Sequence, residues 1–107
     1  MTTTSPPIQI SLPLDAIAEF CQRWKIARLE VFGSILTEEF RPESDIDFLY
    51  VRQPDARWGF DFFDLKEELE SIVGRRVDLV SRVGIEKSWN WAIRRSILAR
   101  TELVYAA

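Results

Sequence analysis

The stretch that organises the chain is VFGSILTEEFRPESDIDF, residues Val31 to Phe48. It opens with an apolar run that ends at Gly33-Ser34, crosses ten residues, and resumes at Asp45-Ile46-Asp47. This pattern predicts a strand, a tight turn and a second strand that begins with two carboxylates. Glycine lets a turning backbone approach a ligand closely, and carboxylates are ligands for hard cations. The stretch therefore predicts a phosphate-binding turn beside a metal-binding pair of acids.

A third carboxylate, Asp78, lies in the apolar run Val77-Asp78-Leu79-Val80. This run predicts a buried strand, where an unpaired charge is costly, so Asp78 needs a partner. Asp45 and Asp47 occupy alternate positions of their strand, so they point to one face and repel each other. If the two strands are neighbours, all three acids can share one or two Mg²⁺ ions with substrate phosphates.

This arrangement favours magnesium-dependent nucleotidyl transfer, in which a protein mainly positions groups and stabilises charge. Asp78 is then the candidate proton acceptor, or a ligand of the metal that acidifies the nucleophile. Ser34 can cap the following turn and donate to a phosphate oxygen.

Each feature also has a simpler structural explanation. Gly33-Ser34 can be an ordinary turn, and the two acids near it can lie on a solvated strand edge. Asp78 can form a structural ion pair with Arg76 or Arg52. All three features in this order are much rarer by chance than any one alone, so we favour the catalytic interpretation.

Composition narrows the possible functions. The 107 residues, 47% hydrophobic and 29% charged, predict one globular domain over residues 11–107 after a flexible tail at 1–10. The net charge of −3 argues against nucleic-acid binding. The absence of histidine excludes histidine-based catalysis, and the single cysteine excludes an internal disulfide. We see no signal peptide and no run of about 20 apolar residues, so we expect a cytoplasmic protein without membrane contact.

Hydrophobic periodicity predicts an α+β fold, in which a short mixed sheet packs against helices. A first helix begins near Ser11 and buries Leu14, Ile17, Phe20, Cys21 and Trp24. A second helix carries an apolar stripe from Phe62 to Val73, and a last helix is predicted over Lys87–Arg100, with Trp89 on its apolar face. Strands are predicted to end at Phe32 and to span Asp45–Val51, Arg76–Ser81 and Glu102–Tyr105.

These residues match a known signature. Gly33-Ser34, ten further residues and Asp45-Ile46-Asp47 resemble the motif of the DNA polymerase β-like nucleotidyltransferase superfamily. Nearly the whole chain, from about Leu14 to Tyr105, resembles the minimal nucleotidyltransferase (MNT) proteins, including the segments FRPESDIDFLY and GRRVDLVS. The resemblance implies the polymerase β-like palm fold.

The resemblance also implies roles for individual residues. Gly33 and Ser34 would bind the phosphates of ATP, whereas Asp45, Asp47 and Asp78 would bind Mg²⁺ and catalyse. Many MNT proteins are antitoxins that transfer AMP from ATP to a tyrosine of a partner HEPN-domain ribonuclease toxin. The alternatives are an antitoxin that neutralises its toxin by binding alone, and a nucleotidyltransferase that acts on a small molecule.

The segment after the turn departs from the pattern of these relatives. Many members carry Arg-Ala-Arg-Gly after Gly-Ser, whereas this chain has Ile35-Leu36-Thr37-Glu38-Glu39. The nearest candidate for a replacement cation is Arg41.

A nucleotide cleft usually needs walls on two sides, and this chain has residues for one lobe, so a partner is expected to supply the second wall. The candidate contact residues are Trp89, Trp91, Arg94 and Arg95, because Trp and Arg dominate interface hot spots. The alternative is that Trp89 lies in the core and that the arginines are simply solvated.

Overall fold

The computed structural model describes residues 11–59 and 61–107, so the predicted tail at residues 1–10 lies outside the described residues. In chain order the elements are α1 (Leu14–Arg23), β1 (Ile26–Phe32), a 3₁₀ helix (Gly33–Leu36), β2 (Ile46–Arg52), α2 (Phe62–Val73), β3 (Val77–Ser81), α3 (Arg82–Glu86), α4 (Trp91–Leu98) and β4 (Thr101–Ala106).

The four strands form one mixed sheet in the order β3-β2-β1-β4. Strand β1 pairs antiparallel with both β2 and β4, and β2 pairs parallel with β3. The α+β class with a short mixed sheet is therefore confirmed. The sequence argument also required the strands that carry Asp47 and Asp78 to be neighbours, and they are: the two residues face each other in register.

One face of the sheet holds the hydrophobic core. Helices α1 and α2 cover this face, because each presents apolar side chains at three- and four-residue spacing. The fully buried side chains of this cluster include Ile17, Phe20, Leu29, Val31, Ile46, Phe48, Leu65 and Leu69. Since side chains alternate along a strand, burying these strand residues turns Glu30, Asp47 and Asp78 to the opposite face.

Helix α3 lies on that opposite face. It contacts β2 and β3, and α4 packs against it. Arg82, the first residue of α3, reaches across to Glu30 of β1, with 2.5 Å between Nη1 and Oε1. The face that carries the acids is therefore partly covered by a short helical layer, and Leu49 of β2 is fully buried.

The predicted helix over Lys87–Arg100 is shorter in the structure, where α4 spans Trp91–Leu98. Sequence analysis did not predict the short helix α3 that precedes it, and residues 87–90 separate α3 from α4. Side-chain caps mark both starts: Ser81 Oγ accepts from the Gly84 amide, and Asn90 Oδ1 accepts from the Ile93 amide. Trp89 lies in the break between the helices and is 91% exposed, so its predicted place on an apolar helix face was also wrong.

The start of α1 differs from the prediction in a smaller way. The helix begins at Leu14, with Pro13 in the cap position and no side-chain cap. Leu14 was expected on the buried face but is 55% exposed, because it belongs to the first turn. Ile17, Phe20 and Cys21 are buried as predicted. In the described part of the chain, no helix has both the length and the apolar character needed to cross a membrane.

The core position of Phe48 gives a stability test. Phe48 is fully buried, whereas Phe63 of α2 is 71% exposed. Comparing alanine substitutions at the two positions therefore separates the effect of lost core packing from the effect of removing an aromatic ring. We expect Phe48→Ala to lower the free energy of unfolding by about 3 to 5 kcal/mol, because it leaves a cavity in the core. Phe63→Ala should change it by less than about 1 kcal/mol. Urea denaturation followed by tryptophan fluorescence measures both; similar losses would contradict the burial pattern.

Candidate active site

Gly33 begins the turn that leaves β1. Its φ of +82° lies in the left-handed region, where glycine is favoured. A Cβ built at this position would lie 2.3 Å from Asp47 Oδ2, so the carboxylate occupies the space of the missing side chain. Two hydrogen bonds stabilise the turn: the amide and the hydroxyl of Thr37 both donate to the Ser34 carbonyl, at 2.8 and 2.9 Å. Gly33 is therefore required both for the backbone turn and for the approach of Asp47.

Asp47 and Asp78 form the centre of the acidic group. They are register partners in the parallel pair β2–β3, and Phe32 of β1 lies opposite Asp47 on the other side. Burial, the charge of Asp78, a hydrogen bond with Asp78 and the charge of Asp45 together raise the pKa of Asp47 from 3.8 to about 6. The close approach of two carboxylates is the state that a bound cation relieves.

Asp45 lies one residue before β2, not within the strand as predicted. Its Oδ1 pairs with Arg76 Nε at 3.3 Å, and both side chains are at least one-third exposed. An ion pair of this kind is weak and can exchange partners. Within residues 11–59 and 61–107, no three carboxylate or thiol side chains already form a group that could hold a metal ion. The sequence offered Arg76 as an ion-pair partner of Asp78, but in the structure Arg76 pairs with Asp45.

Arg75 fixes the loop that leads to the acids. Its Nη1 donates to the carbonyls of Arg41 and Ser44, at 3.1 and 3.0 Å. The guanidinium also lies over the Phe40 ring, 4.5 Å from its centroid. These contacts tie the loop before Asp45 to the start of β3, and thereby hold the two acidic segments in a fixed relation.

Sequence analysis did not single out Glu30, which is only 3% exposed. Arg82 and Arg28 contact its carboxylate at 2.5 and 3.3 Å, and Thr101 Oγ1 donates to it at 2.9 Å. Burial raises the pKa of Glu30, but hydrogen bonds from Arg28 and Thr101 and the charge of Arg82 outweigh it, so the pKa lies below its ordinary value. This buried cluster links α3 and β4 to β1, on the face of the sheet that carries Asp47.

The predicted interface residues are largely exposed. Trp89 is 91% exposed and Trp91 63%, so the alternative that placed Trp89 in the core was wrong. Arg95 is exposed, whereas Arg94 donates from Nη1 to the Ser88 carbonyl at 2.9 Å and holds the break between α3 and α4. The aromatic side chains are available for a partner.

A cavity of about 470 Å³ lies at the far end of β2 from the acids. Arg52, Arg57 and Trp58 are among its lining residues, together with Tyr50 of β2. Arg52 lies five positions after Asp47, which is about 16 Å along an extended strand. The cavity is therefore separate from the acidic group.

The nucleotidyltransferase domain family matches residues 15–104, which is most of the chain. The chain belongs to this family. The predicted superfamily and the predicted class of enzyme, a nucleotidyltransferase, are thereby confirmed. Among relatives, the protein adenylyltransferase MntA of Thermococcus cleftensis is 30% identical over 80 residues, which cover 75% of this chain and 80% of the relative.

Solved structures agree with this assignment. One structure, assigned as a minimal nucleotidyltransferase, is 33% identical, with a TM-score of 0.62 over 82% of this chain and 85% of its own. A second contains tri-AMPylated Shewanella oneidensis HEPN toxin in complex with MNT antitoxin. It is 18% identical with a TM-score of 0.57, covering 88% of this chain and 70% of its own, and shows a likeness of fold.

The raised pKa of Asp47 predicts a pH-dependent stability. Its folded-state value of about 6 exceeds the ordinary 3.8, so the folded protein binds this proton more tightly. The stabilisation is fully present below pH 3.8 and is lost as the pH rises through about 6. Since the side chain is partly exposed, we expect a loss of about 1 kcal/mol.

Without added metal, Asp47→Asn should therefore be more stable than the wild type above pH 7, with a smaller difference near pH 4. Asp78→Asn should also flatten the pH dependence, because it removes a charge that raises the pKa of Asp47. Chemical denaturation at a series of pH values measures both effects. Parallel stability curves for the wild type and both variants would contradict the assigned repulsion.

Gly33 and Gly74 form a matched pair for a second test. Both have φ near +80°, but a Cβ at Gly74 meets no atom within 4 Å, whereas one at Gly33 meets Asp47. We expect Gly74→Ala to cost about 1 kcal/mol through backbone strain alone. Gly33→Ala should cost clearly more, or should displace Asp47 and lower nucleotide binding. Denaturation and nucleotide titration distinguish the two variants, and equal behaviour would show that the Asp47 contact is unimportant.

Proposed function

We propose that this nucleotidyltransferase is the antitoxin of a HEPN/MNT toxin–antitoxin pair and a protein adenylyltransferase. It transfers AMP from ATP to a tyrosine of the partner HEPN ribonuclease toxin. The observation that carries the proposal is the Asp47–Asp78 pair, which lies in register across β2 and β3 beside the Gly33 turn. This juxtaposition supplies metal-binding oxygens next to a backbone that can approach phosphates.

The relatives support the choice of substrate and partner. The Thermococcus cleftensis relative is a protein adenylyltransferase, and it and this chain cover three-quarters or more of each other. The similar Shewanella oneidensis structure combines an AMPylated HEPN toxin with an MNT antitoxin. The exposed Trp89 and Trp91 of this chain offer aromatic contact area for such a partner.

The donor set fits Mg²⁺, a hard cation that binds carboxylates and substrate phosphates together. We assign Asp45, Asp47 and Asp78 as its ligands, and Asp45 would exchange its weak pair with Arg76 for the metal. When bound, Mg²⁺ would neutralise the three carboxylates, acidify the attacking hydroxyl and stabilise charge on the phosphates. The pKa of Asp47 is raised first by burial and then by the charges of Asp78 and Asp45, and a bound cation would offset both effects.

The remaining roles belong to the chain itself. Gly33 and Ser34 would hold the phosphates of ATP, through backbone amides and the serine hydroxyl. Asp78 is exposed and would receive the proton of the tyrosine hydroxyl. The tyrosine oxygen then bonds to the α-phosphorus, the α–β phosphoanhydride bond breaks, and pyrophosphate leaves.

A second candidate function is neutralisation of the toxin by binding alone. The observation that favours it is the loss of the basic residues after Ser34, together with the pairing of Asp45 with Arg76. Nucleotidyl transfer to a small molecule is less well supported, since the relatives include protein adenylyltransferases.

The decisive experiment incubates the protein with ATP, Mg²⁺ and the HEPN toxin encoded beside it, followed by intact-mass measurement of the toxin. We expect a gain of one or more AMP units that disappears with Asp47→Asn, Asp78→Asn or added chelator. Loss of a catalytic metal ligand should lower the rate at least about 100-fold. Tandem mass spectrometry should locate the added AMP on a tyrosine.

Ribonuclease assays on the same samples distinguish the second candidate. If the toxin is neutralised without any gain in mass, and equally by both aspartate variants, the adenylyltransferase proposal fails and neutralisation by binding replaces it. Transfer by the wild type combined with failure of both variants to neutralise would exclude binding alone.

A further inference from the structure

Arg100, which lies near the end of the chain, reaches the segment that follows Ser34. Its Nη2 donates to the Leu36 carbonyl at 2.7 Å, across 64 positions of sequence. Leu36 ends the 3₁₀ helix that begins at Gly33. Since a 3₁₀ helix rises about 2 Å per residue, Leu36 lies about one helical turn from Gly33, and the guanidinium lies next to the Leu36 carbonyl. An arginine side chain can span a distance of this size.

The sheet fixes this position of Arg100. The next residue, Thr101, is the register partner of Phe32, which directly precedes Gly33. Thr101 Oγ1 also donates to the buried carboxylate of Glu30, at 2.9 Å. The backbone that carries Arg100 is therefore held beside the turn by strand pairing and by a buried hydrogen bond.

The guanidinium of Arg100 has an uncompensated positive charge and further N–H donors that a ligand can use. An arginine carries five N–H donors, and one contact to a neutral carbonyl leaves the positive charge uncompensated. In the part of the chain that the structure describes, no ion pair joins Arg100 to a carboxylate. The residue is also exposed, so a ligand can reach it.

The other arginines of this region contact Asp45 or the loop before it, and not the 3₁₀ helix that begins at Gly33. Arg41 donates to the Glu38 carbonyl at 3.3 Å within its own loop, and Arg76 pairs with Asp45. Arg75 donates to two loop carbonyls. Residues 35–39 contain no cation and end with two glutamates, so they cannot themselves balance a polyphosphate.

We infer that Arg100 binds the β- and γ-phosphates of the nucleotide and replaces the basic residues that are missing after Ser34. This inference rests on the proposed nucleotide-dependent function and adds a binding residue that the glycine–serine motif does not include. Arg100 contacts phosphates that depart as pyrophosphate, so it neutralises charge on the leaving group during transfer.

The test compares Arg100→Gln with Arg57→Gln by titration calorimetry. Arg57 is the matched control, because it is an exposed arginine that also donates to a backbone carbonyl, that of Ala56 at 3.4 Å, but at the far end of β2. With Mg²⁺ present, we expect Arg100→Gln to weaken ATP binding about tenfold and to leave AMP binding unchanged. Arg57→Gln should match the wild type for both nucleotides.

Two further measurements separate charge from local structure. Arg100→Lys should recover part of the ATP affinity, because it restores the charge but not the planar fork. The salt dependence of ATP binding should be weaker for Arg100→Gln than for the wild type. Equal losses of ATP and AMP affinity, together with a lower melting temperature, would overturn the inference and leave Arg100 as a structural cap of the turn.

The outcomes also separate this inference from the proposed function. If the wild type binds ATP and Arg100→Gln behaves as Arg57→Gln does, the inference fails and the proposed function stands. If ATP affinity depends on Arg100 but no AMP reaches the toxin, the adenylyltransferase proposal fails and the phosphate-binding role stands. A wild-type protein that binds no ATP overturns both.

Discussion

The site depends on the repulsion between the carboxylates of Asp47 and Asp78, which strand pairing holds in register. The parallel alignment of β2 and β3 is stabilised by backbone hydrogen bonds and by the core beneath it, so the two side chains cannot separate freely. Burial of Asp47, together with the charge of Asp78, therefore raises the pKa of Asp47, and the sheet keeps its arrangement. The stability of the core maintains an unfavourable charge arrangement that a cation can relieve.

The alternation of strand side chains divides the molecule into a supporting half and a reactive half. Residues of β1 and β2 that point to α1 and α2 form the core. The residues that alternate with them point to the opposite face of the sheet, which carries Asp47 and Asp78. The buried carboxylate of Glu30 ties α3 and β4 to this reactive face, through Arg82 and Thr101. Changes in this cluster are expected to act on the site through the position of α3 and β4.

The positive charge beside the turn that Gly33 begins comes from tertiary structure. Residues 35–39 after Ser34 include no cation, yet Arg100, which directly precedes β4, reaches the same turn. Strand β4 therefore has two effects. It covers the edge of β1, and it places the cation of Arg100 beside the turn that follows β1. The segment after the glycine–serine motif can therefore lack basic residues while the folded protein still places a positive charge beside it.

The sequence by itself determined the features that depend on local chemistry. Hydrophobic periodicity predicted the α+β class and most strand positions, because side chains alternate along a strand. The spacing of Gly33, Asp45 and Asp47 and the apolar run around Asp78 predicted the turn and the group of acids beside it. The sequence also predicted a helix over residues 87–100, whereas capping by Asn90 starts this helix later, at Trp91.

Tertiary structure alone decided which distant residues meet. Glu30 is 52 positions from Arg82 and 71 from Thr101, and no local pattern marks such pairs. The pairing of Asp45 with Arg76 and the contact of Arg100 with Leu36 were likewise set by strand order. The physical reason is that periodicity records which face a residue occupies, whereas the neighbours across that face depend on how the strands are arranged in the sheet.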